Sequence, residues 1–72
     1  MATIAVMIAT PGGRRLLAHS SERDIALAAE SVLRNLDPVV LPAAIWVQCA
    51  DREVTLRLTG YLTGVQEEMI TA

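Results

Sequence analysis

The sequence predicts an α+β fold: a small sheet, made of an N-terminal strand plus a β-hairpin, packed against one long and one short helix in the order β(β)-α-β-β-α. Three observations predict it. Residues 4–9 are apolar with strand alternation, residues 21–36 repeat with a helical period, and residues 45–59 hold two alternating runs on either side of Asp51-Arg52. Seventy-two residues make a single small domain, 1–72.

In the first strand Ile4, Val6 and Ile8 alternate with Ala5, Met7 and Ala9, so both faces are apolar. Such a strand is buried on both sides, or its second face meets another subunit. The opening run MATIAVMIA has no positive leading region and ends at Thr10-Pro11. It is too short for a membrane span and wrongly shaped for an export signal, so a cytoplasmic location is the default, with cell-envelope association as the alternative. Pro11-Gly12-Gly13 signals a turn, because proline presets φ and glycine accepts positive φ. Arg14 to Ala18 then returns as a short second strand.

Ser21 followed by Asp24 reads as a helix N-cap with an acidic third residue. Ile25, Ala29, Val32, Leu33 and Leu36 form the apolar stripe, while Arg23, Glu30 and Arg34 fall on the other face with Glu30 and Arg34 spaced i,i+4. Asp37-Pro38 ends this helix, since proline disfavours the α conformation in the residue before it. After a hydrophobic connection containing Pro42, Ile45, Val47 and Cys49 alternate with Trp46, Gln48 and Ala50. Val54, Leu56 and Leu58 alternate with Thr55, Arg57 and Thr59. A turn at Asp51-Arg52 sets Cys49 opposite Val54, Val47 opposite Leu56 and Ile45 opposite Leu58, and it places Trp46 beside Arg57 on the other face. Gly60 ends the second strand. Thr63 with Gln66 then opens a short helix that turns Val65, Met69 and Ile70 inward.

Composition narrows the function. The net charge is −2 and all six basic residues are arginines, so the basic field of a nucleic-acid module is missing. A chain this short buries only about 60% of the surface its unfolded form exposes. Yet 53% of its residues are hydrophobic and its mean hydropathy is +0.42. That excess predicts self-association. A single cysteine, Cys49, excludes a disulfide within the chain, and no Cys, His or carboxylate cluster has ligand spacing. No metal and no cofactor are expected.

Catalysis has little to work with. Cys49 lies among apolar neighbours and reads as a small core residue. His19 has no orienting partner in sequence, and Ser20 and Ser21 are accounted for as caps. The chain is expected not to be an enzyme. Two groups of residues remain as candidates for ligand or partner binding. Gly12 and Gly13 followed by Arg14 and Arg15 could cradle a phosphate through amides and guanidinium groups. Trp46 and Arg57, stacked across the hairpin, have the chemistry of an interface anchor. Leu27, on the polar side of the first helix, could add to such a surface.

From Asp24 onward, about two thirds of the chain resembles a BON domain, the small bacterial module of osmotic-shock and nodulation proteins. The matching residues are Asp24-Ile25, Val32-Leu33, Asp37-Pro38, Ile45-x-Val47, Asp51, Val54-Thr55-Leu56, Gly60 and Gln66-Glu67. Arg52 stands where the family has glycine, and the family's last strand is absent. The resemblance implies an α-β-β-α-β order and binding to phospholipid membranes or assembly in the cell envelope. Glu53 to Leu58 and Glu68 to Ala72 are also similar to the ribosome-hibernation factor family, which implies a β-α-β-β-β-α order and ribosome contact. The leading expectation is therefore a BON-like, non-catalytic binding or assembly module, acting at a membrane surface or in a protein assembly through self-association. The alternative is a nucleic-acid binder resembling a double-stranded-RNA-binding domain or a hibernation factor. Expected partners are a second copy first, then another protein or anionic lipid, with nucleic acid ranked below them.

Overall fold

β1 (Ile4–Thr10) runs through the middle of a three-stranded antiparallel sheet, with β2 (Gly13–His19) on one side and β3 (Ala44–Gln48) on the other. The computed structural model describes residues 3–71; Met1, Ala2 and Ala72 of the stretches read above lie outside the described residues. Between β2 and β3 come α1 (Glu22–Arg34) and a 3-10 turn at Pro38–Val40; α2 (Arg52–Thr71) follows β3. The order is β-β-α-β-α, an α+β fold with both helices packed on one face of the sheet.

The first half follows its local signals closely. Thr10 pairs with Gly13 across the two-residue turn Pro11-Gly12. Gly13 sits at φ +142°, a region that only glycine occupies without strain. Ser21 is the N-cap of α1, and its Oγ accepts from the Asp24 amide at 3.3 Å. The helix ends at Arg34, three residues ahead of Asp37, with Asn35 as the cap; the Asn35 side chain donates back to the Ser31 carbonyl at 2.7 Å. Ile25, Ala29 and Leu33 are sealed from solvent as the stripe requires, and Val32 and Leu36 pack at their margin.

Residues 52–59 are a correction. They form the first turns of a twenty-residue helix, not the second strand of a hairpin. Asp51 is its N-cap, with Oδ1 accepting from the amides of Glu53 at 2.9 Å and Val54 at 3.4 Å. The apolar alternation of Val54, Leu56 and Leu58 covers only five positions. Val54, Leu58, Leu62, Val65 and Met69 recur every three or four residues along the whole helix, and this longer stripe is the one that faces the core. Leu58, Leu62 and Val65 are buried, whereas Leu56 is 62% exposed. Gly60 and Thr63 consequently lie inside a helix rather than at an end, and Ile70 is exposed rather than inward. Of the two helices, the second is the longer.

β3 therefore has β1 as its partner: Val47 pairs with Val6, Ile45 with Ile8 and Trp46 with Met7. The expected pairs Val47–Leu56 and Trp46–Arg57 do not form. The core consists of Ile4, Val6 and Ile8 from β1, Ile25, Ala29 and Leu33 from α1, Leu58, Leu62 and Val65 from α2, and Ala43 just ahead of β3. Val54-Thr55-Leu56, a strand in the BON pattern, is helical here, as is Glu53 to Leu58 of the hibernation-factor likeness.

Candidate functional site

Strand alternation sorts the sheet into a covered and an uncovered face. Ile4, Val6 and Ile8 point to the helices, so Ala5, Met7 and Ala9 point away from them. The ladder partners complete the uncovered face as three rows: Arg14–Ala9–Ala44, Leu16–Met7–Trp46 and Ala18–Ala5–Gln48. Only Arg14 is charged. The middle row holds the largest side chains, with Leu16 68% and Trp46 52% exposed. A shallow hollow of about 370 Å3 lies along it, lined by Ala5, Met7, Leu16 and Trp46. Trp46 is thus an exposed aromatic, as expected, but its neighbours are Met7 and Leu16 rather than Arg57.

The glycine-arginine turn is at one end of the sheet. Alternation sends Arg14 to the uncovered face and Arg15, opposite Ile8, to the side of the helices. Both are exposed, and neither forms an ion pair among the described residues. They line an open hollow of about 430 Å3 together with Gly12, Gly13, Ser31 and Asn35. The Gly12 amide is already held by Thr10 Oγ1 at 3.3 Å, and Gly13 is in the ladder with Thr10. Ser31 and Asn35 belong to the C-terminal end of α1, the negative end of its dipole. The two arginines supply positive charge here, but the backbone does not form a phosphate cradle.

Arg57 is elsewhere and otherwise engaged. Its guanidinium donates to both carboxylate oxygens of Glu22, each at 2.9 Å, and lies 3.9 Å from Glu53. Glu22 opens α1, whereas Arg15 lies beside Asn35 at the other end, about 20 Å away along the helix axis. Arg14, Arg15 and Arg57 therefore do not make one surface. Arg57 instead begins a polar seam between the helices. Tyr61 donates to Glu30, Glu30 accepts from Arg34 at 2.8 Å, and Arg34 reaches Glu68 at 3.7 Å. The Arg57 hydrogen bonds hold the Glu22 carboxyl below its ordinary range. Tyr61, then Arg34, does the same to Glu30, and the bond to Glu30 pushes the Tyr61 hydroxyl up. The pairing with Glu22 raises Arg57 further still.

Gln66 was read as a capping residue and has a different task. It is the one buried polar side chain among the described residues, at 5% exposure. Its Oε1 accepts from the Ala43 amide at 2.6 Å and its Nε2 donates to the Ala43 carbonyl at 3.3 Å. The only sequence signal for it is a glutamine inside an apolar helical stripe, between Val65 and Met69.

Cys49 is half-buried just beyond β3, and His19 is exposed at the end of β2; no acid, base or nucleophile is brought to either among the described contacts. Leu27 is 53% exposed on α1. No helix among the described residues is long and apolar enough to cross a membrane. Comparison with known families, curated proteins and solved structures finds no match to this chain.

Proposed function

We propose that this chain is a non-catalytic assembly module that works by self-association. The observation that carries the reading is the uncovered face of the sheet. Helices cover one side only, and the Leu16–Met7–Trp46 row on the other side is apolar and uncharged, with Leu16 and Trp46 exposed and Met7 half-buried. Contiguous apolar surface of this kind, with a tryptophan in it, is characteristic of macromolecular contact. The polar groups of the helix seam are paired with one another, a feature that suits a surface contact better than a small-molecule site. The composition points the same way, with 53% hydrophobic residues in 72.

Light scattering across a micromolar concentration series tests the reading, with a mass above 7.7 kDa expected. Trp46→Asp should return the chain to a monomer without unfolding it, because Trp46 stands outside the core. A wild-type chain that stays monomeric would remove the proposal. Its membrane-surface form, the BON-like one, rests on Arg14 and Arg15 at the hairpin end. Co-sedimentation with anionic vesicles, beside an RNA shift assay, tests that form: binding that weakens steeply with salt and is lost in the Arg14→Gln, Arg15→Gln variant is the expected result.

A further inference from the structure

We infer that a second copy of this chain seats on the open edge of β3, the two β3 strands pairing antiparallel about Trp46 into one six-stranded sheet. This rests on the self-association reading and names its geometry. The sheet has two edges, and they differ. β2 carries Arg14, Arg15 and His19, the kind of residues that blunt an edge against pairing. β3, Ala44-Ile45-Trp46-Val47-Gln48, carries no charge and no proline. An uncharged edge strand presents a row of unpaired backbone groups and is a template for another strand.

The strand is also self-complementary. Paired about Trp46, Ile45 faces Val47 of the second copy, Ala44 faces its Gln48, and the two Trp46 side chains lie together on the uncovered face. All five residues are paired, Ile45 with Val47 apolar to apolar and Ala44 with the uncharged Gln48, with no like charges opposed. Other registers do worse. A shift of one residue sets inner positions against outer ones. A shift of two in one direction brings in Ala43, whose amide and carbonyl are both held by Gln66, and Pro42, which has no N–H. A shift of two in the other direction takes in Cys49 and Ala50, which lie beyond the strand.

Burial and the flank of α2 support the same seat. On β1, Val6 and Ile8 are sealed, but their β3 partners Val47 and Ile45 are only half-buried, so the core thins out at this edge. The second copy's Ile45 and Val47 continue it. Arg57, Tyr61 and Glu68 mark the flank of α2 that faces α1. The 100° step per residue puts Thr55, Thr59, Thr63 and Ile70 on the opposite flank, the one from which Gln66 reaches Ala43 next to β3. After Arg52 in the first turn, that flank is uncharged.

A pair of double variants tests the geometry. Ala44→Lys with Gln48→Lys sets like charges opposite each other twice across the proposed pair; Ala44→Lys with Gln48→Glu sets opposite charges there instead. Both positions are exposed and stand beside alanines of β1, so neither variant disturbs the core. The expected result is a dimer of the unaltered chain, dissociation on the order of tenfold or more weaker-bound in the like-charge variant, and recovery in the opposite-charge variant. Loss in both variants, with the unaltered chain dimeric, overturns edge pairing in favour of face-to-face stacking and leaves self-association intact. Retention in both also overturns it. A monomeric unaltered chain removes both proposals together. Hydrogen exchange on the unaltered chain gives a reading free of substitutions: amide protection within residues 44–48 should rise with concentration, and protection independent of concentration argues against the seat.

Discussion

The Gln66 side chain clasps the backbone of Ala43 at both its amide and its carbonyl, across 23 residues of sequence. In effect a helix side chain supplies the two hydrogen bonds that a neighbouring strand would give. It joins the last third of α2 to the residue that leads into β3, and it satisfies two polar groups at a site where solvent is excluded: Ala43 is 8% exposed and Gln66 5%. Leaving such groups unpaired is costly, which is why a glutamine can hold a place among Leu62, Val65 and Met69.

Gln66→Leu should therefore destabilise the fold by about 2–3 kcal/mol despite adding apolar volume, because both Ala43 groups lose their partner. Gln66→Glu separates the two bonds. A carboxylate still accepts from the Ala43 amide but faces the Ala43 carbonyl with a second acceptor. Burial raises the folded pKa of the introduced acid above its unfolded value of about 4.3. Its deficit against the unaltered chain should then be smallest in acid, where the protonated group can donate, and grow as pH rises through the folded pKa. Urea midpoints of the two chains, measured in parallel at several pH values, check this; a deficit independent of pH counts against the clasp.

The assignment of residues 52–59 to a helix is tested at two leucines two positions apart. Leu58→Ala empties a buried site and should cost about 2–4 kcal/mol. Leu56→Ala removes an exposed side chain and should stay within about 0.5 kcal/mol of the unaltered chain. Equal, large losses at both positions would restore the strand reading.

Gly60 and Gly64 lie within α2, and a Cβ at either would meet no atom within 4 Å. Glycine in a helix is less favourable than alanine by about 0.5–1 kcal/mol, so Gly60→Ala and Gly64→Ala should each stabilise by that amount. Gly13→Ala should act in the opposite sense despite equally open space, because φ is +142° there. Thermal melts of the three variants give the comparison directly.

The helix seam predicts a pH response with two limbs. The folded pKa values of Glu22 and Glu30 lie below their ordinary 4.5, so their stabilisation is complete above that pH and is lost as pH falls through the folded values. The Tyr61 value lies above its ordinary 10, so its contribution is complete below that pH and is lost as pH rises further. Glu22→Gln and Glu30→Gln should each flatten the acid limb, and Tyr61→Phe the alkaline one. A variant curve parallel to that of the unaltered chain would show that its pair contributes nothing.

The class of fold and its first four elements were legible, and the reasons are local. The turn at Pro11-Gly12, the Ser21 cap and the α1 stripe each depend on residues within a few positions of one another. The misreading of residues 52–59 came from a pattern that two periods share. Val54 and Leu58 belong both to an alternation of two and to a helical stripe, and only the continuation through Leu62, Val65 and Met69 separates them. Thr55, Thr59 and Gly60, weak helix formers, pulled the shorter reading toward a strand. Asp51 followed by Glu53 carried a cap signal that the turn reading absorbed. Trp46 was correctly placed on the uncovered face, since alternation alone decides that. Its neighbours, the commitment of Arg57 to Glu22 and the clasp of Gln66 depend on contacts across 23 to 39 residues, which no local pattern encodes.

The central position of β1 also has a consequence for the order of synthesis. β1 and β2 can zip as soon as both exist, within microseconds, but β3 is complete only about 29 residues after His19. At roughly 5–20 residues per second, translation takes about 1.5–6 s to cover that distance. For that time the nascent chain carries a hairpin whose most apolar strand has an open edge and, until α1 is made, two bare faces. Between His19 and Gln48, therefore, the growing chain presents apolar strand surface that a chaperone can shield.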